Sequence, residues 1–167
     1  MRAVFSVVCL TGCDTVFLDR GPLEDCPLDY EPLAVETTRY RLSTTQEMWA
    51  TAQADCADDT PLAITHLAVI DTFTEIDSIH THSDPKRLLW IGYARDHDSP
   101  QFFNVLGDPL LDDSSLWNGN EPNNFNGKEF AVELNESGLN DTSVDSRKYY
   151  VCECDGRKAT RAFDFGP

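Results

Sequence analysis

The chain has 167 residues, enough for one domain with a substantial core and too few for two comfortable ones. Its 29 acidic residues outnumber 13 Lys and Arg, which gives a formal net charge of −16. A field of this sign repels phosphate backbones and anionic lipid surfaces and attracts cations, so nucleic acid is excluded as an expected partner.

The N-terminus has the pattern of an export signal. Residues 1–12 combine a positively charged start, a short apolar run and two small residues in front of Cys13. The run is too short to span a bilayer, and the sequence Leu-Thr-Gly-Cys at 10–13 resembles the lipobox of bacterial lipoproteins. We expect a signal peptide over 1–12, lipid on Cys13 and an acidic tether over 13–26, which together anchor a secreted domain to the cell envelope. A plain signal peptide or a buried N-terminal strand is the alternative.

Four cysteines remain once the signal and the lipidated residue are set aside: Cys26, Cys56, Cys152 and Cys154. They show no Cys-x-x-Cys metal spacing, so in an exported domain they indicate two disulfides and an oxidising compartment. Three pairings are possible, and the spacing alone does not choose among them.

The front of the domain predicts a strand followed by a helix. Arg39–Leu42 has the composition of a short strand, and Ser43–Thr45 supply an N-cap for a helix that ends near Asp58, ahead of Pro61. The buried face of this helix recurs at 3.6-residue spacing and comprises Met48, Trp49, Ala52 and Cys56.

The middle of the chain predicts two more strands and a second helix. His66–Ile70 is a short apolar strand, and Asp71 or Thr72 can cap a helix from Phe73 to about Thr81. The apolar face of that helix comprises Phe73, Ile76 and Ile79. Leu88–Tyr93 is an apolar run short enough to be a central strand.

Residues 95–127 show no sustained period and predict a long loop, which its aromatic and leucine residues indicate is packed. Lys128–Leu134 and Lys148–Cys152 alternate as strands. Two helices followed by strands that bracket a long loop make an α+β domain over 27–155. The C-terminal tail, 156–167, is expected to be a frayed end.

Oxygen ligands cluster in the long loop and just after it. The stretch Trp117–Asn124 is read together with a set of three carboxylates and two carboxamides: Glu121, Asn123, Glu129, Asn140 and Asp141. Calcium takes roughly 6–8 oxygens at flexible angles, so five side chains can hold it and leave positions for another ligand. The absence of Cys and His from the set argues against zinc.

Landmarks along the whole domain resemble those of C-type lectin-like domains. They are Trp49-x-x-Ala52-x-x-x-Cys56, Leu67-Ala68-Val69-Ile70, Trp90-Ile91-Gly92, Glu121-Pro122-Asn123 and Tyr150-Val151-Cys152-Glu153. The resemblance covers roughly residues 27–155. It implies the double-loop α+β fold, in which two helices flank small antiparallel sheets and a long loop carries calcium. It also implies the bridge Cys56–Cys152, which leaves Cys26–Cys154 as the second.

The same resemblance implies the role of the oxygen cluster. The five residues would form the calcium and carbohydrate site, with a cis bond before Pro122 that turns Glu121 and Asn123 toward one point. Two vicinal sugar hydroxyls would fill the open calcium positions and hydrogen-bond to the carboxylates and amides. The order Glu-Pro-Asn is associated in the family with mannose, glucose, fucose or N-acetylglucosamine types.

Two departures from the family pattern concern the long loop. Leu139 stands before Asn140 where the family usually has Trp, either as a replacement or because one residue is deleted. Ala131 stands where a family cysteine is expected, and its partner is missing too. Losing a bridge typically removes ~2–4 kcal/mol, so calcium is expected to order the loop itself.

Alternative functions are a protein-interaction domain on the same fold, with structural or no calcium, and a hydrolase that uses Glu121 and Glu129. A glycosidase needs two carboxyls with separated pKa values about 5–9.5 Å apart, whereas carboxylates that converge on calcium are both ionised. We therefore expect a non-enzymatic protein with carbohydrate as its partner. The three Trp residues are expected to be core.

Overall fold

The structure is a computed structural model and describes residues 23–33, 38–111 and 114–166. The predicted signal peptide, Cys13 and most of the tether lie outside these residues, so lipid anchoring stays a prediction. Within the described ranges, no helix combines the length and the apolar character that crossing a bilayer requires.

The first helix, α1, spans Trp49–Asp58 and ends where the sequence predicts, but its start was predicted wrongly. Met48 occupies the N-cap position and makes no capping hydrogen bond. Ser43 is used differently: its hydroxyl donates to the Thr45 carbonyl and accepts the N–H of Tyr150. The hydroxyl therefore ties the chain to the sheet instead of starting the helix.

The second helix, α2, spans Phe73–His82, and Thr72 caps it. Thr72 and Glu75 form a reciprocal capping box, which satisfies two otherwise unpaired N–H groups. Ile76 and Ile79 are buried as predicted, whereas Phe73 is 52% exposed, so it does not belong to the buried face.

Within the part of the chain that the structure describes, eight strands form the sheet: β1 Arg39–Leu42, β2 Thr65–Leu67, β3 Leu89–Ala94, β4 Phe102–Asn104, β5 Pro109–Leu110, β6 Ala131–Asn135, β7 Gly138–Thr142 and β8 Tyr149–Cys154. The main path runs β1-β8-β3-β4-β5, while β2 pairs with β8, β6 with β3, and β7 with β6. The β3–β8 pairing is parallel and the other strand pairings are antiparallel. The predicted α+β class is confirmed.

The core is built around three tryptophans, and their predicted burial is confirmed: Trp49, Trp90 and Trp117 are at most 8% exposed. Each indole N–H donates to a backbone carbonyl, at 2.9, 2.8 and 3.0 Å respectively. Buried tryptophans need such a partner because the N–H cannot reach water. In the Trp-Ile-Gly strand, a Cβ on Gly92 would lie 2.4 Å from the Leu67 carbonyl oxygen, so this position requires glycine.

Both disulfides implied by the resemblance are present. Cys56–Cys152 joins α1 to β8, and Cys26–Cys154 joins the two ends of the domain. These bridges and the β1–β8 pairing close the domain next to its termini.

The expectation of a frayed C-terminus is wrong. Phe163 and Phe165 lie edge-on to the Trp49 ring, with centroids 5.4 and 5.7 Å away. Arg161 forms an ion pair with Asp96 at 2.7 Å. These contacts cover α1, so the segment is part of the fold.

Candidate metal centre

The predicted ligands come from one loop and one strand. Glu121 and Asn123 precede the 3-10 turn Phe125–Gly127, and Glu129 follows it. Asn140 and Asp141 lie on β7, opposite Glu133 and Val132 of β6. The β6–β7 hairpin therefore carries the two downstream ligands to the loop that carries the other three.

Asp141 joins the loop to the hairpin. Its carboxylate is fully buried and accepts the backbone N–H groups of Asn123 and Asn124, at 3.0 and 2.9 Å. A buried carboxylate is stable only with such partners. Through these bonds Asp141 fixes the loop backbone that carries Glu121 and Asn123 against strand β7.

Glu129 closes the same loop from its other end. Its Oε2 accepts the N–H of Phe125 at 2.5 Å, and its own N–H donates to Asn124 Oδ1 at 3.4 Å. Asn124 and Asn126 adopt φ values of 48° and 57°, in the left-handed region where Asn is among the better-tolerated residues. The asparagines allow the chain to turn back on itself between Asn123 and Glu129.

The acids of the site perturb one another. Burial and then the neighbouring Asp141 raise the pKa of Glu121, although Asn123 partly offsets this. Burial also raises the pKa of Glu129, and the charges of Asp141 and Glu121 add to it, against the Phe125 N–H. Burial and neighbouring acids thus oppose the ionised state of Glu121 and Glu129, and a bound cation would reverse that effect.

Glu121 carries an unsatisfied oxygen. Its Oε2 is buried and finds no hydrogen-bond partner among the residues that the structure describes, although a buried carboxylate oxygen ordinarily has one. Surrounded by other acids and amides, this atom fits a calcium ligand: the donor set is all oxygen, and each lone pair that is unused by the protein can coordinate the ion.

Asn140 is oriented by a residue that the sequence reasoning missed. Its Nδ2 donates to Glu133 Oε1 at 3.0 Å, which leaves Oδ1 as the acceptor end of the amide. Lys148 Nζ lies 2.8 Å from Glu133 Oε2, an ion pair whose angle falls outside hydrogen-bond geometry. No signal in the sequence shows this contact, because it depends on the hairpin register, which places Glu133 opposite Asn140.

Arg95 supports Glu129 and was also missed. Its Nε donates to the Glu129 carbonyl at 2.9 Å, and its backbone N–H donates to the Phe130 carbonyl at 2.8 Å. The guanidinium lies over the Phe102 and Phe130 rings, with centroids 5.3 and 5.1 Å away. Arg95 thus holds the segment next to Ala131, where the family cysteine is absent.

Leu139 stands directly before Asn140, where the family usually has Trp. It is fully buried, its N–H donates to Leu116, and its carbonyl accepts from Asn118, at 2.9 and 2.8 Å. It also bridges to Trp117. The leucine therefore keeps Asn140 and Asp141 in register although its side chain is smaller.

A different acidic group is the most compact one in the described residues. Asp55, Asp59 and Cys152 present ligand atoms within 4.8 Å of one another. Arg41 binds both carboxylates and Cys152 is disulfide-bonded, so this group is an ion pair beside a bridge. The carboxylate oxygens of the candidate centre are farther apart than those of this group. Such spacing is compatible with calcium, because ligand oxygens on opposite sides of the ion are themselves about 5 Å apart.

An α+β fold closed by terminal disulfides, with an oxygen-rich loop packed against a hairpin, defines a C-type lectin-like domain. The chain belongs to the C-type lectin domain family: its residues 45–154 match the family model described as Lectin C-type domain.

Known proteins of this family are similar over most of the chain. Human C-type lectin domain family 4 member G is 32% identical over 146 residues, which cover 84% of this chain and 46% of that protein. The chain spans about half the length of the first curated relatives it matches: the matched regions cover 46%, 51% and 46% of those proteins.

Solved structures share the fold. The C-type lectin CEL-I from Cucumaria echinata has a TM-score of 0.66 at 21% identity and covers 77% of this chain and 96% of its own. The carbohydrate-recognition domain of cow CD23, solved in the presence of GlcNAc2Man3 oligosaccharide, has a TM-score of 0.65 at 25% identity and covers 81% and 98%.

Proposed function

We propose that this chain is a calcium-dependent carbohydrate-binding module that recognises sugars of the mannose, glucose or N-acetylglucosamine type. The residues that would hold the calcium ion and the sugar are Glu121, Asn123, Glu129, Asn140 and Asp141. Calcium, when bound, supplies open coordination positions for two vicinal equatorial hydroxyls of the sugar.

The single observation that carries the proposal is the buried Oε2 of Glu121, which has no hydrogen-bond partner among the described residues and belongs to a carboxyl whose pKa is raised by burial and by Asp141. A protein-binding surface has no use for this arrangement, because it costs stability until a cation neutralises it. Membership of a lectin family supports the same function.

The side chains also suit sugar hydroxyls. Each hydroxyl can donate to a carboxylate oxygen of Glu121 or Glu129 and accept from the amide of Asn123 or Asn140. Bonds with a charged partner are the stronger ones. The order Glu-Pro-Asn, which places the acid first and the amide second, supports the mannose group of sugars.

Hydrolysis is not favoured by the same residues. A glycosidase separates the pKa values of its two carboxyls. Here Glu121 and Glu129 are shifted in the same direction by the same causes, burial and neighbouring acids. The pKa shifts therefore do not distinguish one residue as the general acid and the other as the nucleophile.

The proposal is tested by glycan-array binding of residues 23–166 in calcium and in EDTA, with Asn123→Asp beside the unchanged chain. We expect binding to mannose- or glucosamine-type glycans that disappears in EDTA and in the variant. The matched control is Asn135→Asp, the same chemical change on the β6–β7 hairpin, which should bind normally.

An absence of glycan binding would overturn the proposal. If calcium still raised the melting temperature, the metal site would remain and the ligand would be a protein. If calcium had no effect either, only the fold would remain.

A further inference from the structure

The C-terminal segment, residues 156–166, is hydrogen-bonded to the chain after β4 and to the loop after β3. The N–H groups of Thr160 and Arg161 both donate to the Val105 carbonyl, at 2.9 and 3.0 Å. Nearer the end, the N–H of His97 donates to the Asp164 carbonyl at 2.7 Å. The last described residues are therefore held beside the loop that follows β3.

This arrangement creates a surface groove of about 490 Å3, which we call the C-terminal groove. Residues 127, 128 and 130 line it from the calcium loop, and residues 143–145 line it from the turn after β7. His97 and the C-terminal residues 165–166 complete the lining. The docked C-terminal segment thus forms one wall of the groove.

The groove adjoins the candidate metal centre through two chain segments. Lys128 directly precedes Glu129, and Ser143 follows Asp141 by two residues. Consecutive Cα atoms are about 3.8 Å apart, so each connection spans no more than ~8 Å. A hexose bound at the centre and one in the groove can therefore belong to the same oligosaccharide.

The lining combines aromatic and polar groups. The His97 and Phe130 rings lie 5.5 Å apart at an interplanar angle of 31°, and Phe165 adds a third ring. Lys128 and Asp145 are exposed and bring opposite charges. Aromatic faces suit the apolar C–H face of a sugar, while charged groups donate to and accept from its hydroxyls.

Other ligand classes fit less well. An acidic ligand would meet Asp145 and the net charge of −16, and a lone cation would meet Lys128. Gly166 packs closely against His97, since a Cβ on Gly166 would lie 2.9 Å from the His97 ring. A neutral polar ligand with an apolar face matches this lining.

We propose that the C-terminal groove binds the second sugar residue of an oligosaccharide whose terminal residue lies on the calcium ion. The inference rests on the proposed function and adds a site that selects longer glycans.

The test compares methyl α-mannoside with the α1-2-, α1-3- and α1-6-linked mannobioses by calorimetry on residues 23–166 at saturating calcium. We expect at least one disaccharide to bind about five-fold or more tighter than the monosaccharide, the effect of one net hydrogen bond or more. Lys128→Ala and Asp145→Ala should each reduce that advantage and leave the monosaccharide affinity unchanged. Both side chains are free of hydrogen bonds and ion pairs within the described residues, so neither substitution threatens the fold.

Matched controls are Lys158→Ala and Asp77→Ala, exposed residues outside the groove, which should keep the disaccharide advantage. Equal affinities for mono- and disaccharides, or an advantage that both groove variants retain, would overturn the inference while the proposed function stands. Failure of every sugar to bind would overturn both.

Discussion

Arg95 shows how a single residue can stand in for a missing covalent constraint. Its guanidinium holds the carbonyl of Glu129 and stacks on Phe102 and Phe130. A lysine can keep the charge but cannot reproduce the planar stacking or the directed Nε bond. The residue therefore fixes the backbone from which a predicted calcium ligand projects.

We predict that Arg95→Lys weakens calcium binding by about ten-fold, as expected for loss of a residue that orients a metal ligand. Calcium titration by calorimetry measures this directly. Arg39→Lys, a change on β1, is the control and should bind calcium normally. A loss of thermal stability in EDTA without any change in calcium affinity would show that Arg95 only supports the core.

Glu153 is the residue whose environment makes stability depend on pH. It is 2% exposed and lies on β8 opposite His66 of β2, accepts the N–H of Val69 at 2.7 Å, and has its carboxylate 4.0 Å from the His66 ring. Burial raises the pKa of Glu153 from 4.5 to about 7. Burial lowers the pKa of His66, but the Asp155 hydrogen bond and the Glu153 charge outweigh it and raise the pKa overall.

The sign of the effect follows from these directions. A carboxyl with a raised folded-state pKa stabilises the fold fully below its unfolded pKa and loses that contribution as pH rises through about 7. His66 acts in the same direction. The pKa of Asp155 is lowered to about 2, although its burial opposes this, so its contribution changes only in acid.

We therefore predict that the free energy of unfolding, measured with urea in EDTA, falls between about pH 5 and pH 8. Glu153→Gln should flatten this fall, because glutamine still accepts the Val69 N–H and does not ionise. Glu136→Gln, on the exposed hairpin, should follow the unchanged chain. Parallel profiles for Glu153→Gln and the unchanged chain would contradict the assignment.

At the scale of secondary-structure elements, those with an apolar pattern could be predicted from the sequence, whereas a strand built from polar residues could not. β1, β3 and the end of α1 lie where the sequence predicts them: β3 is a short apolar run that is buried throughout, and the buried residues of α1 recur with helical spacing. β7 was not predicted: Asn140 and Asp141 at its centre are poor strand formers. Pairing with β6 imposes the strand, which no local pattern reveals.

The C-terminal segment shows the same limit. Its polar composition and terminal position suggest fraying, yet Phe163 and Phe165 stack with centroids 6.3 Å apart and lie against Trp49. Two phenylalanines with period-2 spacing are the one signal of an extended, half-buried chain. Only the position of Trp49 on the folded domain shows what they cover.

Phe163→Ala tests whether this segment contributes to the stability of the domain. We predict a loss of about 1–3 kcal/mol in the free energy of unfolding, the usual range for removing a large, partly buried apolar side chain. Urea unfolding measures it, with Phe73→Ala on the exposed side of α2 as the control. Equal stability of Phe163→Ala and the unchanged chain would mean that the segment adds nothing to the fold.

At the scale of the whole molecule, the site is assembled from parts that are distant along the chain. The ligand types and their order were visible in the sequence, since oxygen donors without Cys or His indicate a hard cation. Their supports were not visible: Glu133, Arg95 and the Asp141 bonds to Asn123 depend on the β6–β7 register and on the end of β3. Support of this kind comes from tertiary structure and leaves no short motif.

The central claim is that the sugar binds through the calcium ion at this site, and thermodynamic linkage tests it most directly. Two ligands that interact at one centre must change each other's affinity by the same factor. Calcium affinity would be measured by calorimetry with and without saturating methyl α-mannoside, on the unchanged chain and on Glu121→Gln. We predict that the mannoside raises calcium affinity, that calcium raises mannoside affinity equally, and that Glu121→Gln binds neither. A calcium affinity that is the same with and without the sugar would contradict the account.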